Sequence, residues 1–213
     1  DKGRHIMSIT TYSELKTSIA NWLNRDDLTS VIPDFITMTE SDLNRKLRHY
    51  KMVERVDATL DSRYVQLPPN WVETMRFAIT SGTTFRLEAI SVDDMLQYRE
   101  ENNDTAGRPK YYTHIGEAIE VFPTPDAEYT MQLTFYEEIP SLSDSTTYNW
   151  LLQDSPDVYL YGSLLHAAPY LLDDSRTQVW TALYQNALGS LQKSSDDTRF
   201  AVTAPRMRIT SYS

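Results

Sequence analysis

The stretch PDVYLYGSLLHAAPYLLDD (residues 156–174), followed by SRTQVWTALYQNALGSLQK (residues 175–193), decides the fold. In both segments apolar residues recur every three or four positions, the period of a helix with one buried face. These residues are Val158, Tyr161, Leu164, Leu165, Ala168, Leu171 and Leu172 in the first segment, and Val179, Leu183, Ala187, Leu188 and Leu191, flanked by Trp180 and Tyr184, in the second. Residues 173–175, Asp-Asp-Ser, should break the helix and cap the next one, so the pattern predicts a helical hairpin. Pro169 should kink the first helix or end it early.

A second helical hairpin is predicted at the start of the chain. Thr11 and Glu14 have the spacing of a capping box ahead of a first helix. A second helix should begin near Thr29 or Ser30, with Pro33 tolerated in its first turn. The apolar faces consist of Leu15, Ile19, Trp22 and Leu23 in the first helix and of Ile32, Phe35, Ile36, Leu43 and Leu47 in the second.

From about residue 53 the apolar period changes to two, which is typical of strands with one buried face. Hairpins are predicted around three turns, at Asp61-Ser62, Ser81-Gly82 and Gly116-Glu117. The third turn fits type II′, because glycine occupies its first central position. Apolar residues alternate most clearly in residues 129–136, which predicts a long strand there.

Together these patterns predict an α+β fold. The N- and C-terminal helical hairpins, residues 11–49 and 155–194, should form a bundle, and an antiparallel β-sheet region at residues 53–140 should be inserted between them. One short helix, capped by Ser91, should lie within that region, followed by an exposed loop at residues 102–109. The boundaries that we predict are 1–6 for a vector-derived segment, 7–198 for a single domain and 199–213 for a basic flexible tail.

Composition restricts the class of protein. The chain has 213 residues, no cysteine and a net charge of −10, so disulfides and thiolate metal sites are excluded, and non-specific binding to nucleic acid is disfavoured. No apolar run approaches the roughly 18 residues of a membrane span, and we expect no membrane association. Fourteen tyrosines and four tryptophans favour an assembly role, because such side chains are frequent at interfaces.

No catalytic or metal-binding motif is recognisable. His49, His114 and His166 have no second ligand at a metal-site spacing, and the chain has neither a nucleophile elbow nor a phosphate-binding glycine loop. We therefore expect no enzyme activity, no metal and no cofactor. The adjacent carboxylate pairs are Asp93-Asp94, Glu100-Glu101, Glu137-Glu138 and Asp173-Asp174. Neighbouring residues diverge on a helix or strand, so a hydrolase site would need carboxylates that the fold brings together.

Two basic segments stand out on this acidic chain. The first, the basic strip, consists of Arg45, Lys46, Arg48, Lys51 and Arg55. It either complements the dipole at a helix C-terminus or binds an acidic neighbouring subunit, which would favour head-to-tail rings. The second is the tail, whose candidate binding residues are Arg199, Phe200, Arg206, Met207, Arg208, Ile209 and Tyr212. It is either a frayed end or a peptide that orders on a partner.

Several short motifs resemble those of tailed-bacteriophage head–tail adaptor (connector) proteins. The C-terminal ones are Pro156-Asp-x-x-Leu-Tyr-Gly-Ser-Leu164, Tyr170-Leu-Leu-Asp-Asp174 and Trp180-x-x-x-Tyr184 with Ala187-Leu188 and Leu191. The others are Thr11-Tyr-x-Glu-Leu15, Trp22-Leu-Asn-Arg-x-Asp-Leu28, Leu47-Arg-x-x-x-Met52-x-x-Arg55 and Leu67-Pro-Pro-Asn-Trp71. The resemblance covers most of the chain between Met7 and Leu191.

The resemblance implies a structural virion protein at the head–tail interface, made in the host bacterial cytoplasm. It would form a ring, expected to be a dodecamer, on the portal protein and bridge the capsid to tail or nozzle proteins after DNA packaging. The isolated protein could be a monomer. The tail would bind the portal, the basic strip would lie between subunits, and DNA would pass through the channel without specific binding. The alternatives are a lysozyme-like cell-wall hydrolase with a carboxylate pair, or another tail or baseplate component.

Overall fold

In a computed structural model, which describes residues 9–171 and 176–201, the chain has the predicted α+β composition. Within these residues the helices are α1 (Tyr12–Leu23), α2 (Ile32–Lys46), α3 (Val92–Glu101), α4 (Trp150–Asp154), α5 (Pro156–Leu171) and α6 (Thr177–Ala201). The strands are β1 (Val53–Leu60), β2 (Tyr64–Gln66), β3 (Trp71–Ile79), β4 (Phe85–Arg86), β5 (Glu88–Ala89), β6 (Tyr111–Ile115), β7 (Ala118–Phe122) and β8 (Tyr129–Glu137). The chain divides into two compact units, a β unit of residues 52–138 and a helical unit formed by the rest.

Helix α5 lies at the centre of the helical unit, where it contacts α1, α2, α4 and α6. Its buried residues surround most of the helix; they are Val158, Tyr159, Leu160, Gly162, Ser163, Leu164, Ala167 and Ala168. A helix that is apolar nearly all round belongs in a core, which explains why the predicted stripe was too narrow. The helix continues through Pro169 to Leu171. Leu172 and the predicted break at residues 173–175 lie outside the described residues.

The two N-terminal helices follow the predicted pattern with two differences. The capping box is confirmed, since Thr11 Oγ1 accepts from Glu14 N at 3.3 Å and the Glu14 carboxylate accepts from Thr11 N at 3.0 Å. All predicted core positions of both helices are buried except Trp22, whose ring meets Tyr161 edge-on and is otherwise exposed. Helix α2 begins at Ile32, later than predicted, because the Thr29 hydroxyl donates to a preceding carbonyl instead of capping the helix.

Helix α6 differs from its prediction at both ends. Val179 is 60% exposed, because the first two turns bury Trp180 and Tyr184 and not the neighbouring Val179 and Leu183; the predicted Ala187 and Leu191 are buried, and Ser195 continues the stripe. The helix also extends beyond Ser194 to Ala201, so Arg199 and Phe200 belong to it and not to a flexible tail. Buried Ser195 accepts a hydrogen bond from Tyr50 N at 3.0 Å, which explains why a polar sequence remains helical there.

The strands form two four-stranded sheets, in the orders β1-β8-β3-β4 and β2-β7-β6-β5. The predicted hairpin at Asp61-Ser62 is wrong, since β1 pairs along its whole length with β8, whereas β2 pairs with β7 in the other sheet. The hairpins at Gly82 and Gly116 are confirmed, and both glycines have positive φ, +74° and +58°. The strand predicted at residues 129–136 is confirmed as β8, which pairs with both β1 and β3.

A single apolar core holds the two sheets of the β unit together. Its buried residues are Leu60, Phe77, Ile79, Leu87, Tyr112, Ile119, Val121, Met131, Leu133 and Phe135. Met75, expected to alternate inward with Phe77 and Ile79, is exposed instead. The register with β8 shifts between Thr74 and Arg76, and such a bulge changes the face on which the following residues lie.

Candidate interaction surfaces

Charge is distributed unevenly between the two units. Residues 52–138 contain sixteen acidic and seven basic side chains, a net charge of −9, whereas the rest of the chain contains fourteen acidic and thirteen basic ones, a net charge of −1. The acidity of the protein therefore belongs almost entirely to the β unit. The cations of the helical unit are in excess only locally, and the C-terminal end of α2 is the clearest case.

At that end Arg45 and Lys46 share one carboxylate. Asp42 accepts from Lys46 Nζ at 2.7 Å and lies 3.9 Å from an Arg45 guanidinium nitrogen. The Asp42 side chain is only 15% exposed, while those of Arg45 and Lys46 are 73% and 64% exposed. One carboxylate cannot neutralise two cations, so this pair leaves a positive charge on the surface of the helical unit.

The other residues of the basic strip have different roles. Arg48 turns back and donates to the carbonyls of Asn44 and Leu47 at 3.0 and 2.7 Å, which satisfies the end of α2. Lys51 forms an ion pair with Asp154 of α4 at 2.6 Å. Arg55 is exposed on β1, which belongs to the β unit. Within the helical unit Arg48 therefore serves the end of α2 and Lys51 pairs with α4, while the role of the strip between subunits stays a prediction.

Arg199 brings the last turns of α6 to the same corner of the helical unit. Its guanidinium donates to the Arg48 carbonyl at 3.4 Å, so the first residue of the predicted portal-binding tail adjoins the basic strip. Phe200 follows in α6. The remaining candidates for this role lie outside the described residues; they are Arg206, Met207, Arg208, Ile209 and Tyr212.

His49 and Trp150 organise this corner. The His49 ring stacks on Trp150 with centroids 4.9 Å apart, and its Nδ1 accepts from Lys51 N at 3.2 Å. Burial, with a smaller effect of the nearby Lys51 charge, lowers the pKa of His49, so the ring is neutral at pH 7. A cleft of about 380 Å³ opens beside it, and its lining includes Tyr50, Asp157, Ser190 and Ser194. The corner thus combines stacked aromatic rings and polar groups with the cations Arg48, Lys51 and Arg199.

In each described carboxylate pair that the sequence singled out, one member makes a structural contact. Asp94 accepts from Ser91 Oγ at 2.7 Å at the start of α3, and Glu101 accepts from Gln97 at 2.7 Å. Glu137 accepts from Asn70 at 2.7 Å, and burial and the charge of Glu54 raise its pKa. Asp173-Asp174 lies outside the described residues.

Two buried carboxylates were not singled out by sequence reasoning. Glu40 of α2 accepts from Leu142 N at 2.7 Å and from Tyr159 Oη at 3.2 Å, which attaches the segment after β8 to the helices. Glu120 of β7 lies in an ion-pair network with Arg63 and Arg99. Each is a single acid on an otherwise apolar face of a strand or helix. From periodicity alone, such an acid cannot be distinguished from a residue that was assigned to the wrong face. Both have protein partners that stabilise the fold.

Searches for a metal site and for a membrane span gave no candidate. Over residues 9–171 and 176–201, no three His, Asp or Glu side chains come close enough to hold a metal ion. In the same ranges no helix is both long and apolar enough to span a bilayer.

Comparison with known families gives one match. The sequence model of the family described as SU10 adaptor protein matches residues 10–208, nearly the whole chain. No curated protein matches it.

Proposed function

The chain belongs to the SU10 adaptor family of phage structural proteins, and from that premise we propose that it forms a ring on the portal and bridges the capsid to the tail after DNA packaging. The family match over residues 10–208 is the observation that carries this proposal. Its place is then the virion, at the head–tail interface, where tail or nozzle proteins bind its free side. In this role the protein acts by binding its neighbours and not by catalysing a reaction.

The C-terminal tail of the chain, residues 199–213, is the proposed portal-binding element. Residues 199–213 contain three arginines and no acid, on a chain of net charge −10. Helix α6 leads directly into this segment, and Arg199 adjoins Arg48 at the corner of the helical unit. A basic segment that leaves one fixed corner is suited to ordering on a partner surface, since it adds charge and apolar side chains without disturbing the fold.

The subunit interface is proposed to use the basic strip. Arg45 and Lys46 carry its exposed charge, whereas Arg48, Lys51 and Arg55 support or extend it. A surface of this kind fits an acidic surface on the next copy, and such heterologous contacts generate a ring when their rotation closes. We propose a dodecamer on the portal, with the two helical hairpins of each copy packed as a bundle. The isolated chain would remain monomeric until the portal orders it.

The β unit is proposed to face the channel through which DNA passes. Its net charge of −9 would repel phosphates, so that the genome slides without specific binding. A ring in which the acidic residues of the β unit lie on the outer wall would contradict this part of the proposal.

Electron microscopy of the protein mixed with the portal protein of its own phage tests the proposal. We expect an added ring of density on the portal, and none with a variant that lacks residues 202–213. That truncation is better than one at Arg199, because it leaves the whole of α6 in place. Circular dichroism of the truncated variant controls for folding. The absence of a ring with the full chain at any ratio would overturn the adaptor assignment to the portal.

A further inference from the structure

Helix α3 presents an exposed face on which aliphatic and acidic side chains alternate. Met95 and Arg99 are its buried residues. Val92 and Leu96, one turn apart, are 45% and 51% exposed. At 100° per residue Asp93 and Glu100 lie within about 100° of Val92 on the same side, and both are exposed. This α3 face is apolar at its centre and negative at its edge.

Helix α2 carries a complementary exposed face. Met38 is 50% exposed, and Arg45 and Lys46, two turns further on, hold the cationic excess over Asp42. Residues 38, 45 and 46 lie within about 100° of one another around the helix. This α2 face therefore also has an exposed aliphatic side chain, but its charged edge is positive.

The spacings of the two faces agree. Val92 and Glu100 are eight residues apart on α3, and so are Met38 and Lys46 on α2, which is about 12 Å in either helix. With the helices side by side in the same direction, an aliphatic contact at one end and an acid–base contact at the other form together. One contact thereby buries the exposed apolar side chains of both faces and pairs two opposite charges.

We propose that the α3 face of one copy packs against the α2 face of a second copy. Val92 covers Met38, with Leu96 beside it, and Glu100 pairs with Lys46 next to Arg45. The proposal rests on the proposed function, because a contact between two different faces of identical chains builds a ring when its rotation closes, as a ring on the portal requires. It names the acidic surface that the basic strip binds, within a β unit whose net charge of −9 attracts it.

Because the chain has no cysteine, disulfide trapping gives a direct test. Met38→Cys and Val92→Cys copies are mixed in equal amounts with the cognate portal protein and oxidised. We expect a covalent dimer in the mixture, and a ladder of oligomers from the chain that carries both changes. The matched control replaces Met38→Cys with Val179→Cys, an exposed aliphatic site in the same unit, and should give at least tenfold less dimer. Equal yields, or a cross-link within one monomer, would overturn the contact.

Charge reversal tests the ionic half of the contact. Lys46→Glu, and separately Glu100→Lys, should each lower the trapped yield at least tenfold. The chain with both changes should recover it, since the charges then match again, and a failure to recover would contradict the pairing. Rings on the portal without trapping would overturn this contact and leave the adaptor function intact. No ring with the unmodified chain would overturn both proposals.

Discussion

Gly162 of α5 lies against Thr39 of α2 so closely that a Cβ on the glycine would stand 2.5 Å from Thr39 Cγ2 and 3.1 Å from the Tyr184 ring. Thr39 is fully buried, and its hydroxyl donates to the Phe35 carbonyl at 2.8 Å. The threonine therefore has no room to turn away. The close contact between α5 and α2 therefore depends on the absence of a side chain at Gly162.

Gly162→Ala should therefore destabilise the helical unit in spite of the better helix propensity of alanine. The extra methyl group must displace Thr39 or separate α5 from α2, and overpacking of this kind costs about 1–3 kcal/mol. Urea unfolding measures the change. Gly189→Ala is the matched control, because Gly189 of α6 has no atom within 4 Å of the same position; it should gain about 0.5–1 kcal/mol. Equal effects of the two changes would show that the close contact is not limiting.

Glu40→Gln should stabilise the protein progressively as the pH rises. Burial raises the pKa of Glu40, and the bonds from Leu142 N and Tyr159 Oη offset this only in part. The folded chain then holds the Glu40 proton to a higher pH than the unfolded chain, so this carboxyl lowers stability as the pH increases above about 4.3. Glutamine keeps an oxygen acceptor for both donors and has no charge to desolvate.

Urea unfolding at pH 4 and pH 7 measures that difference. The free energy of unfolding of Glu40→Gln relative to the unmodified chain should be larger at pH 7 than at pH 4. Glu101→Gln on exposed α3 is the control and should show no such trend. Glu40→Ala leaves the buried donors without an acceptor and should destabilise the fold by about 1–3 kcal/mol. A difference for Glu40→Gln that does not change with pH would contradict the argument.

Glu120→Leu should destabilise the β unit strongly. The Glu120 carboxylate accepts from Arg99 Nε at 2.8 Å and from Arg63 at 2.7 Å, and both Glu120 and Arg99 are buried. Without Glu120 the buried Arg99 guanidinium keeps Asp104 and the Val121 carbonyl as partners but loses the partner of its Nε, a change that costs about 1–3 kcal/mol. Faster hydrogen exchange of the β6 and β7 amides would locate the loss.

The double change Arg99→Met/Glu120→Leu should be less damaging than Glu120→Leu alone, because the buried guanidinium is removed together with its buried partner. The exposed pair of Lys16 and Asp144, 2.9 Å apart, is the control for a surface ion pair. Asp144→Asn should change stability by less than about 0.5 kcal/mol. A double change as damaging as the single one would mean that Glu120 acts through packing and not through charge.

The parts of the fold that depend on local spacing could be predicted from the sequence. The capping box of Thr11 and Glu14 is a contact within one helical turn and does not depend on where the helix packs. The alternation of Met131, Leu133 and Phe135 requires a strand with one buried face. Pairing partners could not be predicted in the same way. The turn at Asp61-Ser62 looks the same whether β2 returns along β1 or crosses to β7, because periodicity sets the buried face and not the neighbouring strand.

The same limit applies to the interaction surfaces. The sequence places Arg45, Lys46 and Arg48 in one basic strip. In the structure, Arg45 and Lys46 are exposed to solvent beside Asp42, whereas Arg48 caps its own helix. Helix α4 was missed because it has only five residues, too few to show an apolar period, although Asn149 caps it locally by accepting from Leu152 N at 2.8 Å. A surface is a property of several elements, and the charge pattern of one segment describes only part of it.

Arg208→Glu should weaken binding to the portal at least tenfold without loss of stability, because the proposed portal contact uses the positive charge of the tail. Lys193→Glu is the matched control. It reverses a positive charge at an exposed position of α6 and changes the net charge by the same amount. Portal binding should stay within about twofold of that of the unmodified chain. Sedimentation of the protein with the portal at 50 and 200 mM salt measures both, and the effect of Arg208→Glu should shrink as salt screens the tail. Equal losses for the two variants would show that net charge, and not a tail-specific contact, governs docking.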